Sequence, residues 1–252
     1  MIKKYIGLMV LIIFFQGCGK NDFTLKNLVT TENAIQMKKN YKEIVTLLIK
    51  YKTKLDKRNP KLFNKDLEKS IIKDMKNSAD ISYNNFKDNE KNNYNVYLKN
   101  AFNQHKNIIN RNDMLILGLY KLLYLSYGVK NEKLTALSYN LKNLQEFNKV
   151  IQIVRWKIKY DKDKANNYLF LTWQNNWQVE LHQRIDMANP DYNLIKDLKY
   201  IKNKEENVFL ASNMSFDNII SKILYINNNS IKRLGGEPDE LTIGFIKFFV
   251  FL

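Results

Sequence analysis

Apolar residues recur along this chain at intervals of three and four residues, which is the spacing of a helix that buries one face. The first clear stripe consists of Ile44, Leu48, Tyr51 and Leu55. Asn59-Pro60 predicts where that helix ends, because the residue before a proline avoids helical backbone angles. Asn64 is a candidate N-cap for the next helix, whose stripe consists of Leu67, Ile71 and Met75.

Further stripes predict helices over most of the remaining chain. They are Tyr94, Leu98, Ala101, His105 and Ile108; Phe170, Trp173, Trp177 and Leu181; Leu194, Ile195, Leu198 and Ile201; and Phe216, Ile219, Ile220, Ile223 and Leu224, capped by Asn213 or Ser215. Segment 77–93 is compatible with a loop or a loose helix. Asn227–Ser230 and Gly235-Gly236 together predict a long turn before a last helix that starts near Pro238.

Two segments in the middle of the chain carry the strongest helical patterns. Met114–Tyr127 is apolar on nearly all sides, which predicts a central buried helix capped by Asp113. Leu134–Tyr160 repeats apolar residues every seven positions, which favours shallow-angle packing along a neighbouring helix. With only 8 glycines and 3 prolines in 252 residues, long helices are favoured over turn-rich sheets. We therefore predict an all-α fold, an irregular bundle of about seven to nine helices with no sheet.

The N-terminal segment differs from the rest. Lys3 and Lys4 precede the uncharged apolar run Tyr5–Phe15, and Phe15-Gln16-Gly17-Cys18 follows. This is the three-part pattern of a secretory signal, and its apolar run is too short to span a bilayer. The segment resembles a bacterial lipoprotein signal peptide with its lipobox. A signal peptide cleaved elsewhere and an uncleaved anchor are the alternatives.

The resemblance implies that residues 1–17 are removed and that Cys18, the only cysteine in the chain, carries the lipid. Residues 18–36 would then be a polar tether, with one helical turn near its end, and residues 37–252 a single helical domain. The expected location is the bacterial cell envelope, held to a membrane by the lipid anchor. Because no aspartate follows Cys18 directly, the resemblance favours the outer membrane if the host has one.

The formal charge of +16 is compatible with two interpretations. A basic chain can bind nucleic acid or an anionic surface, but export argues against nucleic acid. The positive charge is also spread along the chain, as expected of solvated helix faces. We expect a protein partner in the envelope and no nucleic acid.

Candidate chemistry is sparse. The 2 histidines, His105 and His182, lack metal-ligand spacing, and the closest arrangement is His182 one helical turn from Asp186. We interpret that arrangement as a surface pair, and His105 as a core or boundary residue on its apolar stripe. No phosphate-binding glycine loop appears, and lipid on Cys18 would leave no thiol nucleophile. We expect no enzymatic activity, no cofactor and no metal.

The most distinctive internal cluster lies at residues 173–178. On a helix, Trp173 would lie beside Trp177, and Gln174 beside Gln178 on the adjoining face. Tryptophan rings with flanking amides could form a groove for a glycan or peptide, and the same stripe could instead anchor a core. Trp156 could join either arrangement. Glu180 and Arg184 lie one turn apart just below.

The apolar residues that close the chain, 245–252, predict a buried final helix. A partner-binding tail, contact with a membrane surface and a truncated gene are the alternatives. Taken together, the patterns favour a lipid-anchored helical protein that acts as a structural, adaptor or assembly component. A lipid-anchored ligand-binding module that uses Trp173 and Trp177 is the first alternative. An envelope hydrolase built around His182 is the second.

Overall fold

The computed structural model describes residues 32–81, 91–105, 108, 110–129, 138–186, 188–209 and 214–238. These residues form eight α-helices and one 3₁₀ helix, with a single isolated bridge between Lys162 and Tyr168 and no sheet. The α-helices are α1 (Glu32–Arg58), α2 (Lys65–Lys76), α3 (Tyr94–Ala101), α4 (Arg111–Ser126), α5 (Leu141–Tyr160), α6 (Asn176–Arg184), α7 (Lys199–Lys202) and α8 (Ser215–Arg233). The 3₁₀ helix is Tyr192–Asp197. The predicted all-α fold is confirmed.

Four long helices form the core of the bundle. Helix α1 packs against α4, α4 against α5, α5 against α8, and α8 returns to α1. Helix α2 packs on α1, and α3 packs on α4. The stripe predicted on α1 is buried as expected, because each of its members faces this core: Ile44, Leu48, Tyr51 and Leu55.

Helix α4 is the buried centre that its all-round apolar sequence predicts. Gly118 lies where α3 crosses it. A methyl group added at Gly118 would lie 2.7 Å from Cδ2 and 2.9 Å from Cγ of Leu98, which is closer than carbon atoms can pack. The glycine therefore permits the close approach of α3 to α4 at this point.

A buried cluster of charged side chains joins α1 to the first turn of α4. Lys52 Nζ lies 2.7 Å from Asp56 Oδ2 and 2.6 Å from Asp113 Oδ1, and all three side chains are almost fully buried. Asn112 donates from Nδ2 to Asp56 Oδ1 at 3.0 Å. The prediction that Asp113 caps a helix is wrong. It lies within α4, where Lys52 neutralises it and its Oδ2 accepts a hydrogen bond from the backbone N–H of Asn64.

Two other predicted helix boundaries are also wrong. Helix α5 begins at Leu141 after an N-cap at Asn140, whose side chain accepts hydrogen bonds from the backbone of the first turn. Leu134 and Leu137 lie outside the described residues. Asn227–Ser230 does not form a turn, because α8 continues to Arg233. The side chains of Asn227 and Ser230 are buried and hydrogen-bonded to residues outside α8, so the helix keeps hydrogen bonds that a turn would otherwise supply.

The helix predicted from the Phe170–Leu181 stripe differs most from the structure. Residues 161–175 are not helical, and α6 begins only at Asn176. Trp173 and Gln174 therefore precede the helix that carries Trp177 and Gln178. Helices α6 and α7 and the 3₁₀ helix pack on one another at the edge of the core.

His105 also departs from its prediction. It follows the end of α3 at Ala101 and is exposed, not a boundary residue on an apolar stripe. At the other end of the bundle, α1 already includes Glu32, so the end of the predicted tether is helical. Residues 77–81 and 91–93 are not helical and form turns and extended chain.

Several predictions lie outside the described residues: the signal segment, Cys18, segment 82–90 and the apolar residues 239–252. Among the helices that the structure does describe, none combines the length and the apolar character needed to cross a membrane.

Candidate functional site

A cavity of about 610 Å³ lies between the end of α1 and helix α6. Its volume is in the range of pockets that bind small organic ligands. Its walls are largely aromatic and aliphatic: Pro60, Leu62, Tyr168, Leu171, Trp173, Trp177, Val179, Leu181, Ile185 and Tyr192. The polar members of the lining are Arg58, Asn59, Lys61, Asn167, Gln174, Gln178, His182 and Gln183.

Asn59 joins the two sides of this cavity. Its backbone follows α1, and its side chain donates from Nδ2 to the carbonyl of Leu171 at 3.1 Å. The Leu171 N–H returns a bond to Asn59 Oδ1 at 2.8 Å. One side-chain amide therefore pairs with a backbone amide more than a hundred residues away, and this pairing fixes the non-helical segment 167–174 against α1.

Both tryptophans of the predicted groove line the cavity. The structure brings them together through a chain reversal before α6, not through the predicted helix turn. Trp173 and Trp177 are each partly exposed, as a ligand-facing ring requires. Trp173 donates from Nε1 to the carbonyl of Lys159 at 3.1 Å, which orients its ring. Trp156 is not in the lining and instead packs on Tyr160.

Gln174 and Gln178 have different roles. The amide oxygen of Gln178 accepts a hydrogen bond from the backbone N–H of Asn175 at 2.7 Å, and so caps the start of α6. Gln174 is only 3% exposed, and its Oε1 accepts a hydrogen bond from the N–H of Thr172 at 3.0 Å. Because a backbone N–H can only donate, the oxygen must be the atom that faces Thr172. The amide nitrogen therefore points the other way, and within the described part of the chain it has no hydrogen-bond partner.

Arg58, the last residue of α1, reaches across to the start of α6. Its guanidinium donates to Asn176 Oδ1 and to the carbonyl of Gln174. Its Nε is buried without a hydrogen-bond partner, as is Nε1 of Trp177. Three residues of the cavity wall, Arg58, Gln174 and Trp177, thus each carry a buried N–H donor that has no acceptor among the residues that the structure describes.

The lining is electrostatically one-sided. It includes Arg58 and Lys61, and none of its described residues is acidic. Glu206 approaches α6, but it binds the backbone N–H groups of Asn176 and Trp177 at 3.1 and 2.8 Å, and so occupies the positive end of the helix. The charged side chains of the described lining are therefore basic, and the unpartnered polar atoms of its residues are N–H donors.

Glu180 stabilises the outer part of the site. Its carboxylate lies 3.0 Å from Arg184, one helical turn away, and also accepts bonds from the backbone N–H of Lys199. That backbone donor lowers the pKa of Glu180, with Arg184 adding to the effect. The result is a fixed connection between α6 and α7.

His182 lines the cavity but does not form the predicted pair with Asp186. Its Nε2 lies 2.9 Å from the carbonyl of Asn166, and its ring packs against Tyr168. The Asp186 carboxylate instead accepts a bond from the backbone of Ala188. Within the described ranges, no group of three or more His, Cys, Asp or Glu residues is arranged to hold a metal ion.

The sequence predicted the two tryptophans as site residues but not Arg58, Tyr168 or Tyr192. Arg58 looked like an ordinary basic residue in the last turn of a helix, and only the long-range pairing of Asn59 with Leu171 brings it beside Gln174. The local signal that was available is Asn59-Pro60, which marks the end of a helix.

Comparison with known proteins adds no relative: no protein-family model, no curated protein and no solved structure matches the chain. The proposed function therefore depends on the geometry of the cavity.

Proposed function

We propose that this chain is a lipid-anchored binding protein of the bacterial envelope that holds a small, largely apolar ligand between Trp173 and Trp177. The observation that supports the proposal is the aromatic-walled cavity of about 610 Å³, in which both rings remain partly exposed. A stripe that served only to pack the core would bury both rings. The same cavity makes ligand binding a better account than a purely structural role.

The anchor would define where binding takes place. Each acyl methylene buried in the membrane contributes about 0.8 kcal/mol, and one chain alone holds a protein only marginally. Three chains on Cys18 would keep the helical body at a leaflet without any membrane-crossing helix. A ligand released from or destined for that membrane would then meet a cavity held close to it.

Quenching of tryptophan fluorescence tests the binding site. The neutral apolar dye N-phenyl-1-naphthylamine is titrated into the full-length Cys18→Ser chain, which carries no acyl chains to bind the dye. We expect saturable energy transfer from tryptophan to the dye. Trp177→Ala should weaken dye binding by about tenfold, or about 1.4 kcal/mol.

The chain supplies its own control, because it has 3 tryptophans and Trp156 lies outside the cavity wall. Trp156→Ala removes the same side chain from a partly buried position, and dye affinity should not change. Thermal unfolding by circular dichroism checks that each variant is folded. If Trp156→Ala and Trp177→Ala weaken binding equally, the cavity is not the binding site.

Membrane fractionation tests the anchor. The native chain should sediment with membranes and stay there in high salt, and mass spectrometry should find a diacylated Cys18 as the mature N-terminus. Cys18→Ser should release the chain or leave its signal segment uncleaved. An unmodified cysteine in membrane-bound protein would contradict the proposal.

An adaptor role is the second candidate, and exposed apolar residues near the start of α8 favour it. Phe209 is 92% exposed, Met214 is 53% exposed and Val208 is also exposed. Three exposed large apolar side chains so close in sequence are typical of a contact with another protein. Cross-linking in native membranes, with Phe209→Ser as the variant, would show whether one partner is lost when this segment becomes polar.

A further inference from the structure

We propose that the ligand of this cavity is an organic anion, an apolar body that carries a carboxylate or a similar acidic group. The acidic group would accept hydrogen bonds from Arg58, Gln174 and Trp177, and the body would lie against the aromatic walls. This inference rests on the proposed function, because it names the chemical class of what the cavity binds.

The unpartnered donors are the first step. Arg58 Nε, Gln174 Nε2 and Trp177 Nε1 are each buried and have no hydrogen-bond partner among the described residues, and all three residues line the cavity. A buried polar group left without a partner costs about 1–3 kcal/mol. A ligand whose acceptor atoms reached these three donors in the cavity wall would remove that cost.

The second step is that these atoms are all donors. Tryptophan Nε1 and arginine Nε cannot accept a hydrogen bond, and Gln174 is oriented by the Thr172 N–H so that its nitrogen faces away from that bond. A ligand group that meets them must therefore offer several lone pairs. A carboxylate offers about four lone-pair sites on two oxygens, whereas an amine or ammonium group would face only like donors.

Charge is the third step. No carboxylate of the described residues lies within ion-pair distance of Arg58, whose bonds go to Asn176 and to the carbonyl of Gln174. Lys61 adds a second, exposed positive charge to the rim. A hydrogen bond to a charged group is about twice as strong as a neutral one, so an ionised acid gains most from this wall.

Three compounds with the same naphthalene body separate these effects. They are 2-naphthoate, which is an anion; 2-naphthamide, a neutral acceptor; and 2-methylnaphthalene, which has no acceptor. Each is titrated into the full-length Cys18→Ser chain by competition with N-phenyl-1-naphthylamine. We expect 2-naphthoate to bind about tenfold more tightly than 2-naphthamide, and 2-methylnaphthalene to bind most weakly.

Arg58→Gln should remove the preference for 2-naphthoate over 2-naphthamide, and it should weaken 2-naphthoate more than 2-methylnaphthalene. Lys57→Gln is the matched control, since it deletes the same charge from an exposed neighbour that is not part of the wall. Because Arg58 also joins α1 to α6, a second variant covers the case in which Arg58→Gln does not fold. Trp177→Phe keeps an aromatic wall and removes one N–H, so it should weaken both acceptor compounds more than 2-methylnaphthalene.

The outcomes separate this inference from the proposed function. Equal affinity for the three compounds would leave a binding cavity and overturn the anionic ligand. The same would follow if Lys57→Gln acted like Arg58→Gln, or if Trp177→Phe affected all three compounds alike. Failure of the dye and of every naphthalene to bind would overturn the proposed function itself.

Discussion

Replacing Lys52 by methionine tests the buried charge cluster that connects the core to the cavity. Lys52 Nζ is within 2.7 Å of Asp56 and 2.6 Å of Asp113, and the three side chains are 0%, 2% and 0% exposed. Methionine fills nearly the same volume without the charge. It would leave two carboxylates facing each other in the core with no cation between them.

Removing one partner of a buried ion pair costs about 3–5 kcal/mol, because the remaining charge stays buried without compensation. Since Lys52 serves two carboxylates, we place Lys52→Met at the upper end of that range. A domain of this size has about 5–15 kcal/mol of stability in total, so the variant should be close to unfolding. Urea unfolding followed by circular dichroism measures the loss.

Asp56→Asn is the matched variant, and its expected effect is much smaller. It leaves one lysine with one aspartate, and the new amide can still accept a hydrogen bond from Lys52. The new NH₂ group would face Asn112 Nδ2, so the Asn112 amide must turn over to accept with Oδ1, and it then exchanges its bond to the Asn59 carbonyl for one to the new amide. We expect the free energy of unfolding of Asp56→Asn to differ from that of the wild type by no more than about 1 kcal/mol. The reasoning would be refuted if Lys52→Met were as stable as Asp56→Asn.

The pH dependence of the same pair provides a second measurement. Burial raises the pKa of Asp56 above its ordinary value of 3.8, and this outweighs the opposing effect of Lys52. The native state therefore takes up a proton at higher pH than the unfolded chain does, and Asp56 contributes more stability as the pH falls toward 3.8. The wild type should gain stability relative to Asp56→Asn over that interval. A constant difference would mean that Asp56 titrates at its ordinary pKa.

Two further predictions concern other parts of the bundle. Asp217 accepts bonds from Arg155 at 2.8 and 2.7 Å, which lowers the pKa of Asp217. The stabilisation from this pair is therefore present above pH 3.8 and is lost as the pH falls through the lowered pKa. Asp217→Asn should cost about 1 kcal/mol of unfolding free energy at neutral pH and little in acid, as urea titrations at both pH values would show. Gly118→Ala should cost about 1–3 kcal/mol in calorimetry, and less in a Leu98→Ala background, where the clash is absent.

The Asp217 prediction fails if the cost of Asp217→Asn is the same at both pH values. The Gly118 prediction fails if the cost is additive with that of Leu98→Ala.

The apolar periodicity was sufficient to predict the bundle, because burying one helix face is a local pattern. Ile44 to Leu55 on α1 and the all-round apolar helix α4 lie where the sequence predicts them. What the pattern could not predict is where polar residues are buried. Asparagine and serine normally favour turns, since their side chains compete for the backbone.

Residues 227–230 illustrate this limit. Asn227 donates from Nδ2 to the carbonyl of Leu144 at 3.0 Å, and Ser230 lies 2.9 Å from the hydroxyl of Tyr127 and accepts a bond from Asn40 at 2.8 Å. These partners belong to α5, to the residue that directly follows α4, and to α1. Because long-range bonds satisfy the side chains, α8 continues through a run that locally resembles a turn.

The candidate site was predictable in composition and not in geometry. Two tryptophans and two glutamines within six residues suggested a groove, and all four line one cavity. The unpartnered donors in the cavity wall were not predictable. Arg58 and Gln174 meet only because Asn59 pairs with the backbone of Leu171, and nothing in the local sequence of either segment indicates that contact.

The polar start of the otherwise apolar helix α4 is explained by the same cavity. Asn112 donates from its backbone to the carbonyl of Leu62 at 2.8 Å and from Nδ2 to the carbonyl of Asn59 at 3.3 Å. Asp113 accepts the N–H of Asn64 at 2.8 Å. These bonds hold segment 59–64, which forms one wall of the cavity. A turn that includes a proline has one backbone donor fewer, so such partners help it to keep one conformation. The buried cluster therefore holds this cavity wall in place as well as joining two helices, and that accounts for charged residues at the centre of the core.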